Sequence, residues 1–385
     1  MGFKKALEDL LADEDFEEAP PKLMKLIRSR FKDLETVIKE NRTLGTNENL
    51  FLEFEFQINN NVGVYTVEFD GERVVNEKLE YLIEKKRGTY FELGVDSKYF
   101  SPKMFNSTEY LTEISNRVDK FWGKHTLLSI LMFEEAEKNE KYFAENININ
   151  FQKVLGFFKK LVCRVNTGNH GRQGFMSINL PVDGEFLNGV IELSDVDELD
   201  MAEEILNSIF TSLYSDIKNI YYDKKEIDNQ RIKYDLYVKK LIGSKIRDIP
   251  FDQESTGTLN ILNLLSPLLM AMQGSTVILD EFDAGIHDIL VKHLFEELEM
   301  ALEGQLIMTT HNTLLLESEV ENKCLYILTV DIEGNKELCS LDKYDLRAHK
   351  NNNRRSQYLK GMYDGVPLIG NLDFNLIADQ LRDPD

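Results

Sequence analysis

Residues 275–288 read STVILDEFDAGIHD. A short run of apolar, β-branched residues meets two adjacent acids, Asp280 and Glu281, and a third acid, Asp283, follows two positions later. Val277–Leu279 suit a strand buried in a sheet. Two neighbouring carboxylates repel each other and cost several kcal/mol each to desolvate, so a strand ending on them calls for a cation or hydrogen-bond donors. The stretch is therefore read as a strand over 276–280 with something bound at its end.

The flanking sequence repeats the theme. A "STGT" turn at 255–258 opens an apolar helix over 259–273, a second helix is expected over 286–302, and a second apolar strand over 305–309 runs into "THNT" at 310–313. Helices alternating with short apolar strands predict a parallel sheet covered on both faces. Ligands bind such sheets beyond the carboxyl ends of the strands, where Asp280, Glu281 and His311 fall. That chemistry suits a magnesium nucleotide. An aspartate can hold hydrated Mg²⁺, a glutamate can polarise the attacking water, and a hydroxyl and N–H groups at a helix start can seat a phosphate. "STGT" also reads as a plain N-cap without ligand. His287 and His293, on the following helix, read as surface or packing residues.

Upstream, the period changes. Residues 50–95 alternate apolar and polar around "NNN" and "DG" turns, the pattern of an antiparallel meander with Glu53, Glu55 and Gln57 on its wet face. Residues 1–44 read as two helices broken by "APPK", 101 to about 165 as helical, 173–194 as two short strands, and 198–228 as one long amphipathic helix. The segments are divided as 1–49 (N-terminal helices), 50–100 (β insert), 101–250 (helical insert with short strands) and 251–385 (the lobe with the acids).

The 385 residues carry 45 basic and 67 acidic side chains, a net charge of −22, which opposes nucleic-acid or anionic-membrane binding by the surface as a whole. The concentrated basic stretch is 346–360, read first as a solvated loop and second as a nucleic-acid contact. No apolar run is long enough to span a bilayer and the N-terminus has no signal-peptide core, so the chain is read as cytoplasmic and without a membrane partner. Cys163, Cys324 and Cys339 have no metal spacing and are expected to be reduced.

The strings "ESTGTLNILNLLSPLL", "TVILDEFDAGIHDILVKHLFEEL" and "GQLIMTTHNTLLLE" resemble the signature, the Walker B with D-loop, and the H-switch of ABC-type ATPase heads. The likeness is to the bacterial AAA-family ATPases with such a head, a group tied to phage defence and abortive infection. It covers about 50–370, including the meander and "RRSQYLKGMYDGVP". The resemblance implies a P-loop NTPase-like α/β fold with a β-meander insert and a helical insert, and ATP and Mg²⁺ as cofactors. It implies Asp280 as the magnesium residue, Glu281 as catalytic base, Asp283 as the D-loop acid and His311 as the switch histidine. Ser255, Thr256 and Gly257 would then reach a nucleotide held by the other protomer of a homodimer, or of a heterodimer with another ATPase subunit. "STGT" departs from a transporter signature in being shorter and poorer in glycine.

A phosphate loop of the form G-x-x-x-x-G-K-[ST] is expected before these motifs, and the 385 residues contain none. The nearest string, "VDKFWGKHT" at 118–126, has Val118 and His125 where Gly and a hydroxyl belong. Without the strand that leads into such a loop, an open apolar edge is expected beside 276–280. Two functions follow: an ATPase whose dimerisation drives a defence or DNA-linked response, or a non-hydrolytic partner lending its signature turn to a complete ATPase.

Overall fold

A computed structural model describes residues 34–138, 140–165, 172–174, 180–344, 353–367 and 370–382. Of the expected N-terminal helices, Leu34–Asn41 (α1) is seen, and the rest of that expectation lies outside the described residues. The chain divides into two compact units: one runs to Phe282 and takes in Ala301–Thr309, and the other comprises Asp283–Met300 and Thr310–Asp385.

In the first unit, five strands form an antiparallel meander in chain order: β1 (Leu50–Ile58), β2 (Asn61–Phe69), β3 (Val74–Ile83), β4 (Lys86–Gly94) and β5 (Ser97–Phe100). The period-two pattern predicted this, and Glu53, Glu55 and Gln57 are exposed. The opposite face of β1 is only partly covered. Phe56 is buried, while Leu52 and Phe54 stay exposed, because β1 is the edge strand. Four helices follow: α2 (Thr108–Phe121), α3 (Leu127–Glu137), α4 (Glu140–Asn146) and α5 (Ile149–Lys159). Tyr90, Phe91, Ile114, Leu131, Phe151 and Val154 from sheet and helices share one buried core.

Helix does not continue to 165. Leu161–Val165 is a strand, β6, because its apolar residues find a partner in the sheet of the acidic motif. That sheet has the order β13-β12-β6-β7, with β7 at Arg172–Gly174, β12 at Thr276–Leu279 and β13 at Gln305–Met308. β12 pairs in parallel with β13 on one side and β6 on the other, and β7 pairs antiparallel with β6. The expectation of an open edge beside 276–280 is thus corrected, since β6 fills it. β13 ends the sheet among the described residues, and its Ile307 is 47% exposed.

The long helix expected over 198–228 is also corrected. Helix α6 spans Asp197–Leu213, and Ile217–Glu226 is a ten-residue strand, β9. Leu199, Ala202, Leu206 and Phe210 bury one helical face, and Ile217, Ile220 and Tyr222 are buried in the strand. Pairing with β10 decides the switch, since tertiary context overrides a weak local preference. β9 joins β8 (Asn188–Glu192), β10 (Arg231–Ile242) and β11 (Lys245–Pro250) in an antiparallel sheet. β10 runs twelve residues along 230–242, where apolar and polar residues alternate as in the meander. Helix α7 (Thr256–Met272) then leads into β12.

The second unit holds helix α8 (Asp288–Ala301), a hairpin of β14 (Tyr326–Val330) and β15 (Lys336–Ser340), and helices α9 (Arg354–Leu359) and α10 (Phe374–Arg382). Its small core is Ile327, Leu341 and Tyr363.

Candidate functional site

β12 delivers Asp280 to the end of the sheet, and the neighbouring strand β13 delivers Thr309 beside it. The Thr309 hydroxyl donates to Asp280 Oδ1 at 2.6 Å and accepts the Glu281 N–H at 2.8 Å. Backbone bonds frame the same turn: the Thr309 N–H donates to Leu279 O, the Phe282 N–H to Thr309 O, and the Asp280 N–H to Arg164 O of β6. Phe282 is 1% exposed and anchors the chain immediately after Glu281.

Held between those points, Glu281 adopts φ 49°, a left-handed conformation that a non-glycine residue enters only at a cost of about 1–3 kcal/mol. Its side chain is exposed, as is that of Thr309, and Asp280 is half-buried. The Asp280 charge reaches into the sheet: burial first, and this carboxylate second, raise the Cys163 thiol above its ordinary range. Among the described residues no three His, Cys, Asp or Glu side chains gather as a metal cage. A lone strand-end aspartate still fits Mg²⁺, which is commonly held by one or two carboxylates with waters and substrate phosphates.

Ser255 caps α7, its Oγ accepting the Thr258 N–H at 3.2 Å and lying 2.8 Å from Thr258 Oγ1. Both the N-cap reading and the anion-seat reading of "STGT" therefore share one geometry, with Ser255 and Thr256 exposed at the helix start and Gly257 half-buried. Arg164, paired with Leu279 across β6–β12, reaches α7 with its side chain, which donates to Asn263 O at 2.8 Å. Ser255 is eight residues earlier, about 12 Å along the helix at 1.5 Å per residue.

Asp283 and His311 belong to the second unit. Asp283 Oδ1 is buried without a hydrogen-bond partner among the described residues. His311 is exposed, and its successor Asn312 is buried and fixed, donating to Asp288 O at 3.0 Å and accepting from the Leu314 N–H at 2.9 Å. His287 Nδ1 takes the Ile289 N–H at 3.3 Å, a bond within its own helix start. From the basic stretch, Arg354 binds Val320 O at 2.6 Å and also Ser318 O, and Arg355 binds Thr313 Oγ1 at 3.0 Å and Glu317 at 3.4 Å. Both arginines are thus engaged within the unit, and residues 345–352 lie outside the described ones.

The phosphate-loop lookalike at 118–126 is the junction of α2 and α3, where Thr126 caps α3. A protein carboxylate already fills that helix start. Glu77 of β3, fully buried, accepts from the Leu127 N–H at 2.7 Å, the Leu128 N–H at 3.4 Å, Trp122 Nε1 at 2.9 Å and the Tyr65 hydroxyl at 2.9 Å. Burial outweighs these donors and pushes its carboxyl up to about 7.

Residues 5–317 match the family model described as "AAA domain, putative AbiEii toxin, Type IV TA system". The chain belongs to this AAA domain family. A search of curated proteins finds no match. The α/β architecture with its parallel strands is that of a P-loop NTPase-like AAA fold, and members of such ATPase families use nucleotide and Mg²⁺ in general. Among the described residues of this AAA domain no helix is long and apolar enough to cross a membrane. Reading the sequence for motifs overlooked Thr309, the hinge of the acid cluster. Its signal was present, since it is the first hydroxyl after an apolar strand that pairs with the strand leading to Asp280. Glu77 left no such signal, as a glutamate in an alternating strand reads as solvent-facing.

Proposed function

We propose that this AAA domain is an ABC-like ATPase subunit that works as a nucleotide-driven dimer. Asp280 holds Mg²⁺, Glu281 polarises the attacking water, and His311 and Asp283 act at the γ-phosphate and the dimer interface. The observation that carries the reading is the Thr309-braced turn. A chain that spends backbone strain to fix Glu281 beside an Mg²⁺-competent aspartate supports a positioned base rather than an acidic strand end. The toxin wording of the family description supports a defence output. The 385 residues hold no G-x-x-x-x-G-K-[ST], so this reading requires a phosphate loop joined to this chain or carried by a partner.

A second reading uses the exposed start of α7 alone: a non-hydrolytic partner whose Ser255, Thr256 and Gly257 serve a nucleotide held by a complete ATPase. Phosphate release decides between them. With a loop joined to this chain, Glu281→Gln abolishes hydrolysis and accumulates an ATP-bound dimer, because the amide keeps shape but cannot accept a proton, a loss of about 10²–10⁴-fold. With a lending partner, Gly257→Glu blocks hydrolysis and Glu281→Gln leaves it intact. If neither substitution alters the rate in either format, the motif assignment is wrong.

A further inference from the structure

Strand β10 buries alternate residues, Tyr234, Leu236 and Val238, and the next position of that face is a lysine, Lys240. A charge in line with core residues is unusual unless paired. Lys240 Nζ contacts both carboxylate oxygens of Glu254, at 2.9 and 2.8 Å, and lies 3.4 Å from Asp216. The lysine side chain is 21% exposed and that of Glu254 only 4%. The β9–β10 register shifts between Lys239 and Lys240, an irregularity of the kind that re-aims side chains beside functional sites. The Leu241 N–H donates to Asp216 O at 2.8 Å, which ties the second acid to the same strand.

Glu254 is the residue immediately before Ser255. Its backbone N–H donates to Phe251 O at 3.1 Å, and Phe251, fully buried, packs edge-on against Phe210 of α6 at 5.1 Å. The turn that presents Ser255 and Gly257 is thus attached to β10 by the ion pair and to α6 by the aromatic contact. An unmasked Glu254 carboxylate at that place would repel any phosphate approaching the start of α7.

We infer that Lys240 is a positioning residue that acts through Glu254, masking the charge of that carboxylate immediately before Ser255 so that the helix start accepts a polyphosphate anion. The inference rests on the reading of that turn as a phosphate seat.

The test titrates the purified full chain with tripolyphosphate, following the backbone amide resonances of Thr256, Gly257 and Thr258, alongside urea unfolding. The native chain is expected to show saturable shifts, lost in Gly257→Glu. Lys240→Met weakens the affinity by about tenfold, and Lys240→Arg keeps it. Lys240→Met/Glu254→Gln, with the charge removed, restores it. A scaffold role alone moves the urea midpoint and leaves the affinity of the folded variants unchanged. Native affinity in Lys240→Met overturns the inference while leaving the seat intact, as does a double variant that fails to regain binding. Absence of shifts in the native chain, or their persistence in Gly257→Glu, overturns the seat itself and with it the inference. Should Lys240→Met not fold, Glu254→Gln decides: unchanged or tighter binding supports charge masking, and weaker binding overturns it.

Discussion

Thr309 donates its hydroxyl to Asp280 Oδ1 at 2.6 Å. The same oxygen accepts the Glu281 N–H, so one hydroxyl from β13 fixes both acids at the end of β12. A charge-assisted bond of this kind contributes about 1.5–3 kcal/mol. Thr309→Val keeps the shape and removes both bonds. We expect it to lower unfolding stability in urea by about 1–3 kcal/mol, while Thr309→Ser stays near the native value. Equal midpoints for native and Val forms would remove Thr309 as the brace.

The left-handed Glu281 offers a sharper contrast between stability and activity. Glycine enters that region without the Cβ clash, and its greater unfolded-state entropy offsets part of the gain. Glu281→Gly is expected to unfold at the same or a higher denaturant concentration, by up to about 1 kcal/mol, while losing any hydrolysis the site supports. A clear loss of stability would show that the Glu281 side chain, and not its backbone, is needed for the turn.

Glu77 links stability to pH. Its carboxyl titrates at about 7 in the fold against an ordinary 4.5, so between those values the folded chain holds a proton that the unfolded chain has released. Stability from this group is full below about pH 4.5, falls as pH rises, and levels off above about 7, a change on the order of 3 kcal/mol. Glu77→Gln cannot titrate. The native midpoint should therefore drop between pH 5 and pH 8 by more than that of the variant, and parallel curves would refute the assignment.

Gly304 tests the join between the α7–β12 turn and β13. A Cβ there would stand 2.1 Å from Ser275 O and 2.8 Å from both Ala271 O and Ser275 N, all backbone atoms that cannot swing aside. The Gly304 N–H also bonds Ala271 O, and the Gln305 N–H bonds Ser275 O. Gly304→Ala should cost about 1–3 kcal/mol or more in thermal or urea unfolding. An undisturbed variant would mean that β13 can shift along β12.

The sequence by itself determined the meander, because period-two alternation and the "DG" turn are local rules that one buried face enforces. It likewise placed helix α7, strands β12 and β13, and the acids at the strand end, since apolar runs bounded by a capping serine and by carboxylates admit few other folds. Tertiary structure decided the rest. Leu161–Val165 and Ile217–Glu226 are apolar enough for helix or strand, and only pairing with β12 and β10 made them strands. Position along the chain could not show that Lys240 faces Glu254 or that Glu77 caps α3, because each side chain is bonded by groups from another element. Nor could it show that Thr309, twenty-eight residues from Glu281, would brace the strained acid. A hydroxyl's role depends on which strand lies alongside, and hydrogen bonding across a sheet is settled only when the sheet has formed.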